Sequence, residues 1–351
     1  MTAIKTPYKL DGDVDLDSYD FLVEAQIKNG VQGLIVCGTT GEGHLMDWEE
    51  HLMLIAHSVN KFGDRLAIVG NTGSNNTREA IKGTRYGFAF GMDAALQINP
   101  YYGKTSDAGL REHFKRVLDL GPSIIYNVPG RTGQDLQPEL IEELAQHPNL
   151  IGVKECAGIE RMAHYESKGI ACWSGNDDQC FEGRHRHGSH GVISVISNLM
   201  PGLMRRLMDT DDPKLNDRLQ PLMSWLFHVP SPNALNTVLS MTGATQPVFR
   251  LPYSPVDLEA RKEVVELLQE FSPEDWVGSG LELMDDNQFV LTAYRSKPYS
   301  QRLHSSWSSR AWCNHNNPLH CHSGLGVTTR ILFIVIPGRN IRWTITRLRL
   351  G

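Results

Sequence analysis

Eight short apolar runs, at 2–6, 33–37, 66–70, 94–98, 123–127, 150–154, 170–174 and 191–195, alternate with amphipathic segments over roughly the first 200 residues. That alternation constrains the fold more than any other feature of the chain. Runs of this kind suit strands buried on both faces of a parallel sheet. The segments between them carry helical signals. Asp47 with Glu50 three residues on has the spacing of a capping box, Leu110, Phe114, Val117 and Leu118 share one helical face, and Pro138 suits a first helical turn. Eight such units predict an α/β fold, a (β/α)8 TIM barrel over 1–200 with its active site at the carboxyl ends of the strands. Beyond it, 214–228, 233–241 and 257–271 read as helices separated by prolines. They predict a C-terminal helical appendage over 201–280, with 281–294 completing this part of the chain.

Few reactive side chains stand at those carboxyl ends. The run 150–154 finishes on Lys154, whose ammonium would have to leave water. Desolvation lowers a lysine pKa from its reference of about 10.4 and frees the amine as a nucleophile near neutral pH. Taken alone, the stretch is equally open to a plainer use, a lysine that snorkels to the rim or pairs with Glu155. The fifth strand ends in Tyr126-Asn127-Val128-Pro129-Gly130-Arg131-Thr132, the second in Gly38-Thr39-Thr40-Gly41-Glu42-Gly43, and the fourth in Asn99-Pro100-Tyr101-Tyr102. Adjacent barrel strands lie about 4.8 Å apart, so Tyr126 and Lys154 fall side by side. An amine that attacks a carbonyl, with a phenol to shuttle the carbinolamine proton, suits a Schiff-base enzyme, and Thr40 stands ready to pass the proton on. Arg131 offers a fork for a substrate carboxylate.

Each of these residues has an ordinary alternative. Tyr126 suits a barrel rim, and the paired threonines suit turn caps. The 38–43 loop lacks the Gly-Lys-Ser/Thr ending of a phosphate-binding loop. Asp177 and Asp178, after the seventh strand, suit either a divalent cation or a helix N-terminus, and without a third carboxylate nearby no metal site is expected. Arg184-His185-Arg186-His187 reads as a surface face.

A net charge of −6 argues against general affinity for nucleic acid or acidic membranes. Six cysteines without a repeated short spacing indicate neither a disulfide framework nor a zinc ribbon, and fit a reducing compartment. No apolar run approaches the roughly 20 residues that span a bilayer, and the N-terminus carries no signal peptide. From 295 the character changes, with nine Lys/Arg and no Asp or Glu in the last 57 residues. This stretch predicts a disordered basic extension, with a docking tail as the functional alternative. Its Cys313, His315, His320, Cys321 and His322 match no standard zinc spacing.

Six segments in order, Ala3-Ile4-Lys5-Thr6-Pro7, Gly38-Thr39-Thr40-Gly41-Glu42, Asn99-Pro100-Tyr101-Tyr102, Tyr126-Asn127-Val128-Pro129-Gly130-Arg131-Thr132-Gly133, Gly152-Val153-Lys154-Glu155 and Gly191-Val192-Ile193-Ser194-Val195, resemble the dihydrodipicolinate synthases, most strongly the plant type. The resemblance covers roughly 1–294. It implies that pyruvate condenses with Lys154 and that the resulting enamine attacks aspartate 4-semialdehyde, giving 4-hydroxy-tetrahydrodipicolinate on the way to lysine, with no cofactor. It assigns a proton relay to Tyr126, Thr40 and Tyr102, the last reaching in from a neighbouring subunit of a homodimer or homotetramer. It gives Arg131 the semialdehyde carboxylate, Thr39 and Thr40 the pyruvate carboxylate, and Gly175 and Ile193 the pocket wall. An inhibitory lysine site is implied at Trp48, His51, Asn75, Glu79 and Tyr101. In an extended segment Tyr101 and Tyr102 would point opposite ways, one to the regulator and one to the catalyst. A plastid stroma location is implied as well, although the chain starts at the first strand without a transit peptide and ends in an atypical tail. N-acetylneuraminate lyase is the nearest alternative on the same barrel, and a non-catalytic binding relative is the alternative of another class.

Overall fold

A computed structural model describes residues 1–293, so the basic tail, its expected disorder and its cysteine and histidine cluster lie outside the described residues. Eight strands, β1 (Thr2–Ala3), β2 (Gly33–Val36), β3 (Ala67–Asn71), β4 (Ala94–Ile98), β5 (Ser123–Asn127), β6 (Leu150–Glu155), β7 (Cys172–Ser174) and β8 (Gly191–Val192), pair in chain order in one sheet. All the pairings are parallel. A parallel bridge from Thr2 to Ser194 joins the last strand to the first, which makes the sheet a (β/α)8 barrel.

Helices α1 (Leu16–Lys28), α2 (Trp48–Phe62), α3 (Thr77–Phe90), α4 (Asp107–Leu118), α5 (Pro129–Thr132), α6 (Pro138–Leu144), α7 (Ile159–Ser167) and α8 (Cys180–His187) run between the strands, and α9 (Pro201–Asp209) follows the last. The face of α4 that packs inward carries Leu110, Phe114, Val117 and Leu118, as their spacing predicts. Pro138 opens α6, where its missing N–H costs no helical hydrogen bond. Asp47 caps α2 by accepting the Glu50 N–H at 2.9 Å. The Glu50 carboxylate, however, is taken by the Arg250 guanidinium, with both contacts at 2.6 Å. A buried arginine from far along the chain thus outcompetes the short-range half of the expected capping box.

Three strands end earlier than the apolar runs do, β2 by only one residue, at Cys37, whose backbone is left-handed. The run 191–195 stops being a strand after Val192 because Asp177 Oδ2 accepts the N–H groups of both Val195 and Ile196 at 2.9 Å and draws the chain into a turn. The run 2–6 leaves the sheet after Ala3, where the Asn198 side chain replaces a strand. Its Oδ1 accepts the Lys5 N–H at 2.9 Å, and its amide donates to Ala3 O at 2.8 Å and Val195 O at 2.9 Å. The expected surface face 184–187 is partly tied down, since His185 Nε2 lies 2.8 Å from Leu207 O and Arg186 pairs with Asp211 at 2.8 Å.

The appendage comprises α10 (Pro213–Phe227), α11 (Asn233–Met241) and α12 (Leu258–Gln269), together with a parallel pair that the sequence reading did not anticipate, β9 (Val248–Arg250) with β10 (Val290–Thr292). The appendage packs on the barrel through Trp225, Leu235, Leu239 and Phe249, all in the core cluster that includes Leu34, Leu52 and Leu199.

Asn198 is fully buried with three backbone partners. Replacing it with alanine strands groups that no water reaches, and we expect Asn198→Ala to lower unfolding free energy by about 3 kcal/mol in urea denaturation.

Candidate active site

Strand register brings the candidate pair together. Tyr126 on β5 and Lys154 on β6 are direct Cα partners, and Lys154 Nζ sits 4.3 Å from the Tyr126 ring centroid. Both are almost fully buried, at 5% and 6% exposure. Alternation along β6 sends Glu155 the other way, where its carboxylate accepts the N–H groups of Cys156 at 2.8 Å and Ala157 at 2.7 Å and the Asn127 amide at 3.0 Å. The pairing of Lys154 with Glu155 is therefore not the arrangement found. Burial raises the Glu155 carboxyl to about 7.

Burial, the largest influence, depresses the Lys154 amine; Cys156 opposes it, the Arg131 guanidinium adds to it, and Asp177 opposes it least. Burial also raises the Tyr126 phenol far above its ordinary value, so it stays protonated throughout the neutral range. The strand pair therefore juxtaposes an amine that loses its proton easily with a phenol that keeps its own.

The Thr39 hydroxyl hydrogen-bonds the Tyr126 phenol. Thr40 is buried at 4% exposure one residue further round the turn, while Thr39 is half-buried. Tyr126 also meets the Cys156 thiol, which burial pushes up to about 11. Sequence reasoning missed this neighbour. Its signal lay in Gly175, where an added Cβ would stand 2.2 Å from Cys156 Sγ and 3.1 Å from Lys154 Cε. Gly175 thus leaves room for the amine, and Ile193, fully buried, lies in the same interior cluster as Tyr126 and Val128.

Asp177 has a structural task that its place after the seventh strand does not reveal. It is 1% exposed, holds the chain after β8 through two N–H groups, and faces Lys154 electrostatically. It neither caps α8, whose N-cap is Gln179, nor joins a metal cluster, since no group of three or more candidate ligands is found among the described residues. Arg131, in the short helix α5, is exposed at the mouth and donates to Ser231 O at 3.4 Å.

The five positions of the expected regulatory site gather near α2 and α3. Trp48 and His51 lie with ring centroids 5.0 Å apart, and the indole packs so closely on Gly83 that a Cβ there would be 2.6 Å from it. Glu79 lies one turn before Gly83 on the same helix, and Asn75 donates to Tyr101 O at 3.3 Å. His51 is buried, with Nε2 2.7 Å from Asn71 O and Nδ1 3.3 Å from Gly43 O. Tyr101 and Tyr102 are not an extended pair. Tyr102 has φ 71 and is 95% exposed, and Gly103 N–H closes onto Tyr101 O at 2.9 Å. A tight turn, rather than strand alternation, separates the two rings.

Residues 1–271 match the model of the dihydrodipicolinate synthetase family. The chain is 57% identical over 293 residues to the chloroplastic 4-hydroxy-tetrahydrodipicolinate synthase of Nicotiana tabacum, covering 83% of this chain and 82% of that one. Among solved structures it is similar to the pyruvate-complexed, chloride-inhibited dihydrodipicolinate synthase of Acinetobacter baumannii, with a TM-score of 0.74 at 33% identity over 77% of this chain and 97% of that chain. It is similar also to the lysine-bound enzyme of Cyanidioschyzon merolae, with a TM-score of 0.73 at 29% identity over 76% of this chain and 96% of that chain.

The packing at Gly175 gives a direct check. A methyl group there meets the Cys156 thiol first. We expect Gly175→Ala to slow reductive methylation of Lys154 by formaldehyde and borohydride roughly tenfold, and a second substitution, Cys156→Ala, to restore it. Peptide mapping of the labelled protein reads both.

Proposed function

The chain belongs to the dihydrodipicolinate synthetase family, in its plant-type form, and we propose that it works through a Schiff base on Lys154. It is a 4-hydroxy-tetrahydrodipicolinate synthase, condensing pyruvate with aspartate semialdehyde in lysine biosynthesis. The likeness to the tobacco synthase puts it with this activity rather than with the sugar-acid lyase considered as the alternative.

The observation that carries the mechanism is the buried Lys154 amine over the Tyr126 ring at the ends of β5 and β6. In the proposed sequence, neutral Lys154 Nζ attacks the keto carbon of pyruvate. Tyr126 gives its phenolic proton to the developing alkoxide, recovers one from the carbinolamine nitrogen, and gives that one to the departing hydroxide, so that water leaves and the protonated imine forms beside a tyrosinate. The Tyr126 tyrosinate then takes a methyl proton from the protonated imine, which yields the enamine, and the enamine carbon attacks the semialdehyde carbonyl. The Thr39 hydroxyl, against Tyr126, takes the relay position that the sequence gives to Thr40, and both threonines border the pyruvate carboxylate. Arg131, at the mouth, receives the carboxylate of the semialdehyde.

Tyr102 completes the relay in a partner subunit. A tyrosine 95% exposed in a left-handed turn gains little where it stands, and a second copy would cover it. Lysine would bind against Trp48, His51, Asn75, Glu79 and Tyr101, with Glu79 meeting its ammonium group and the indole covering its methylenes. His51 reaches from there to Gly43 O, in the loop that carries Thr39. As in the chloroplastic relatives, the enzyme would work in the plastid stroma. No described helix is long and apolar enough to cross a membrane.

Borohydride added with pyruvate should fix one pyruvate-derived adduct, mapping to Lys154 and absent from Lys154→Ala. An unlabelled, folded protein would refute the mechanism. Arg131→Lys should raise the semialdehyde KM by roughly tenfold or more while leaving that adduct in place, since the bidentate fork is lost but the amine is not. Trp48→Ala should weaken inhibition by added lysine about tenfold with kcat little changed, in steady-state assays.

A further inference from the structure

Three buried groups converge at one carboxylate beneath the 38–43 loop. Glu42 is fully buried, and its Oε1 takes the Lys5 ammonium from the segment after β1 and the Asn236 amide from α11, the latter at 2.6 Å. The Tyr8 hydroxyl faces the same carboxylate. The Tyr8 ring in turn lies between Lys5 Nζ, 4.8 Å from its centroid, and the Arg250 guanidinium, at 4.0 Å. Arg250 is itself held by Glu50 and Gly12 O. A buried pair of this kind gains little in stability over apolar residues of similar volume, and its best-attested use is to specify one geometry.

The geometry specified here is that of the loop. Cys37 and Glu42 both take left-handed backbone conformations, at φ 58 and φ 57, which non-glycine residues adopt only where their surroundings hold them. Glu42 N–H donates to Thr39 O at 3.0 Å, and Gly43 N–H to Gly38 O at 3.2 Å, so the turn that presents Thr39 closes on Glu42. Gly41 and Gly43 press the loop onto its supports, since added Cβ atoms would meet Ile4 O at 2.8 Å and Cys37 O at 2.0 Å.

We propose that Glu42 is a positioning residue: anchored by Lys5 and Asn236, it sets the 38–43 loop so that the Thr39 hydroxyl stands against Tyr126. The proposal rests on the reading that Tyr126 and Thr39 move protons for Lys154. It adds that the appendage, through Asn236, helps to build the catalytic loop. Glu42 touches no reacting atom and acts through Thr39.

A double-mutant cycle on the full chain tests it, using Glu42→Gln, Thr39→Val and the pair. Glu42→Gln should lower kcat about a hundredfold, as expected of a displacement of about 1 Å at the reacting groups, with a smaller change in the pyruvate KM. In the Thr39→Val background it should cost nothing further. Asn236→Ala, which leaves the Lys5 pair intact, should show a smaller loss with the same dependence on Thr39, and serves if Glu42→Gln does not fold. Multiplying losses in the double variant, or an unchanged kcat in Glu42→Gln, would overturn the proposal. A crystal structure of Glu42→Gln reads the geometry without turnover: Thr39 Oγ should leave Tyr126, and an unmoved Thr39 would equally overturn it. Failure of the unaltered protein to form the Lys154 adduct would count against the Schiff-base reading alone.

Discussion

An ammonium group held out of water at the end of a parallel strand is the constraint on which the rest of this structure turns. Lys154 is enclosed by the Tyr126 ring on the neighbouring strand, and the room for it is left by Gly175. Such a site can exist only where the backbone around it is already satisfied, which a closed parallel barrel provides by pairing every strand on both edges. The charges nearby are unequally placed. Arg131 discourages the protonated amine from the mouth, while Asp177, fixed by two backbone N–H groups after β8, favours it from within. Burial remains the largest influence, so the lowered pKa is a property of the barrel rather than of one partner.

The appendage belongs to the same design. It is tied to the barrel by Arg250 with Glu50 and Gly12 O, by Tyr253 Oη 2.8 Å from His44 Nε2, and by Gln246 donating to Asp15 at 3.1 Å. Arg131 donates to Ser231 O just ahead of α11, and Asn236 on α11 holds Glu42. Two elements of the proposed chemistry, the arginine and the threonine loop, are thus held partly by residues more than ninety positions away in sequence, Ser231 lying 100 from Arg131 and Asn236 194 from Glu42.

Much of this is legible in the sequence because barrel strands pair in chain order. Once eight apolar runs are counted, the adjacency of Tyr126 and Lys154 follows, and the register bears it out. Strand limits are less legible because side chains decide them: Asp177 shortens β8 and Asn198 shortens β1, both by hydrogen bonds to backbone groups distant in sequence. The difference between Thr39 and Thr40 is beyond any pattern, since it depends on the left-handed turns at Cys37 and Glu42. For the same reason the Tyr101–Tyr102 pair looks extended in sequence and is a turn in the structure. The Glu50 carboxylate looks like half of a helix cap, and only the fold shows that Arg250 reaches it.

The pH dependence of imine formation between pyruvate and Lys154, followed by borohydride quenching at short times, tests the central claim most directly. A rate that rises to a plateau with a midpoint well below the lysine reference of about 10.4 is the result that burial of the amine requires. A rate still climbing at that reference value would mean that Lys154 titrates like a surface lysine, and would contradict the account.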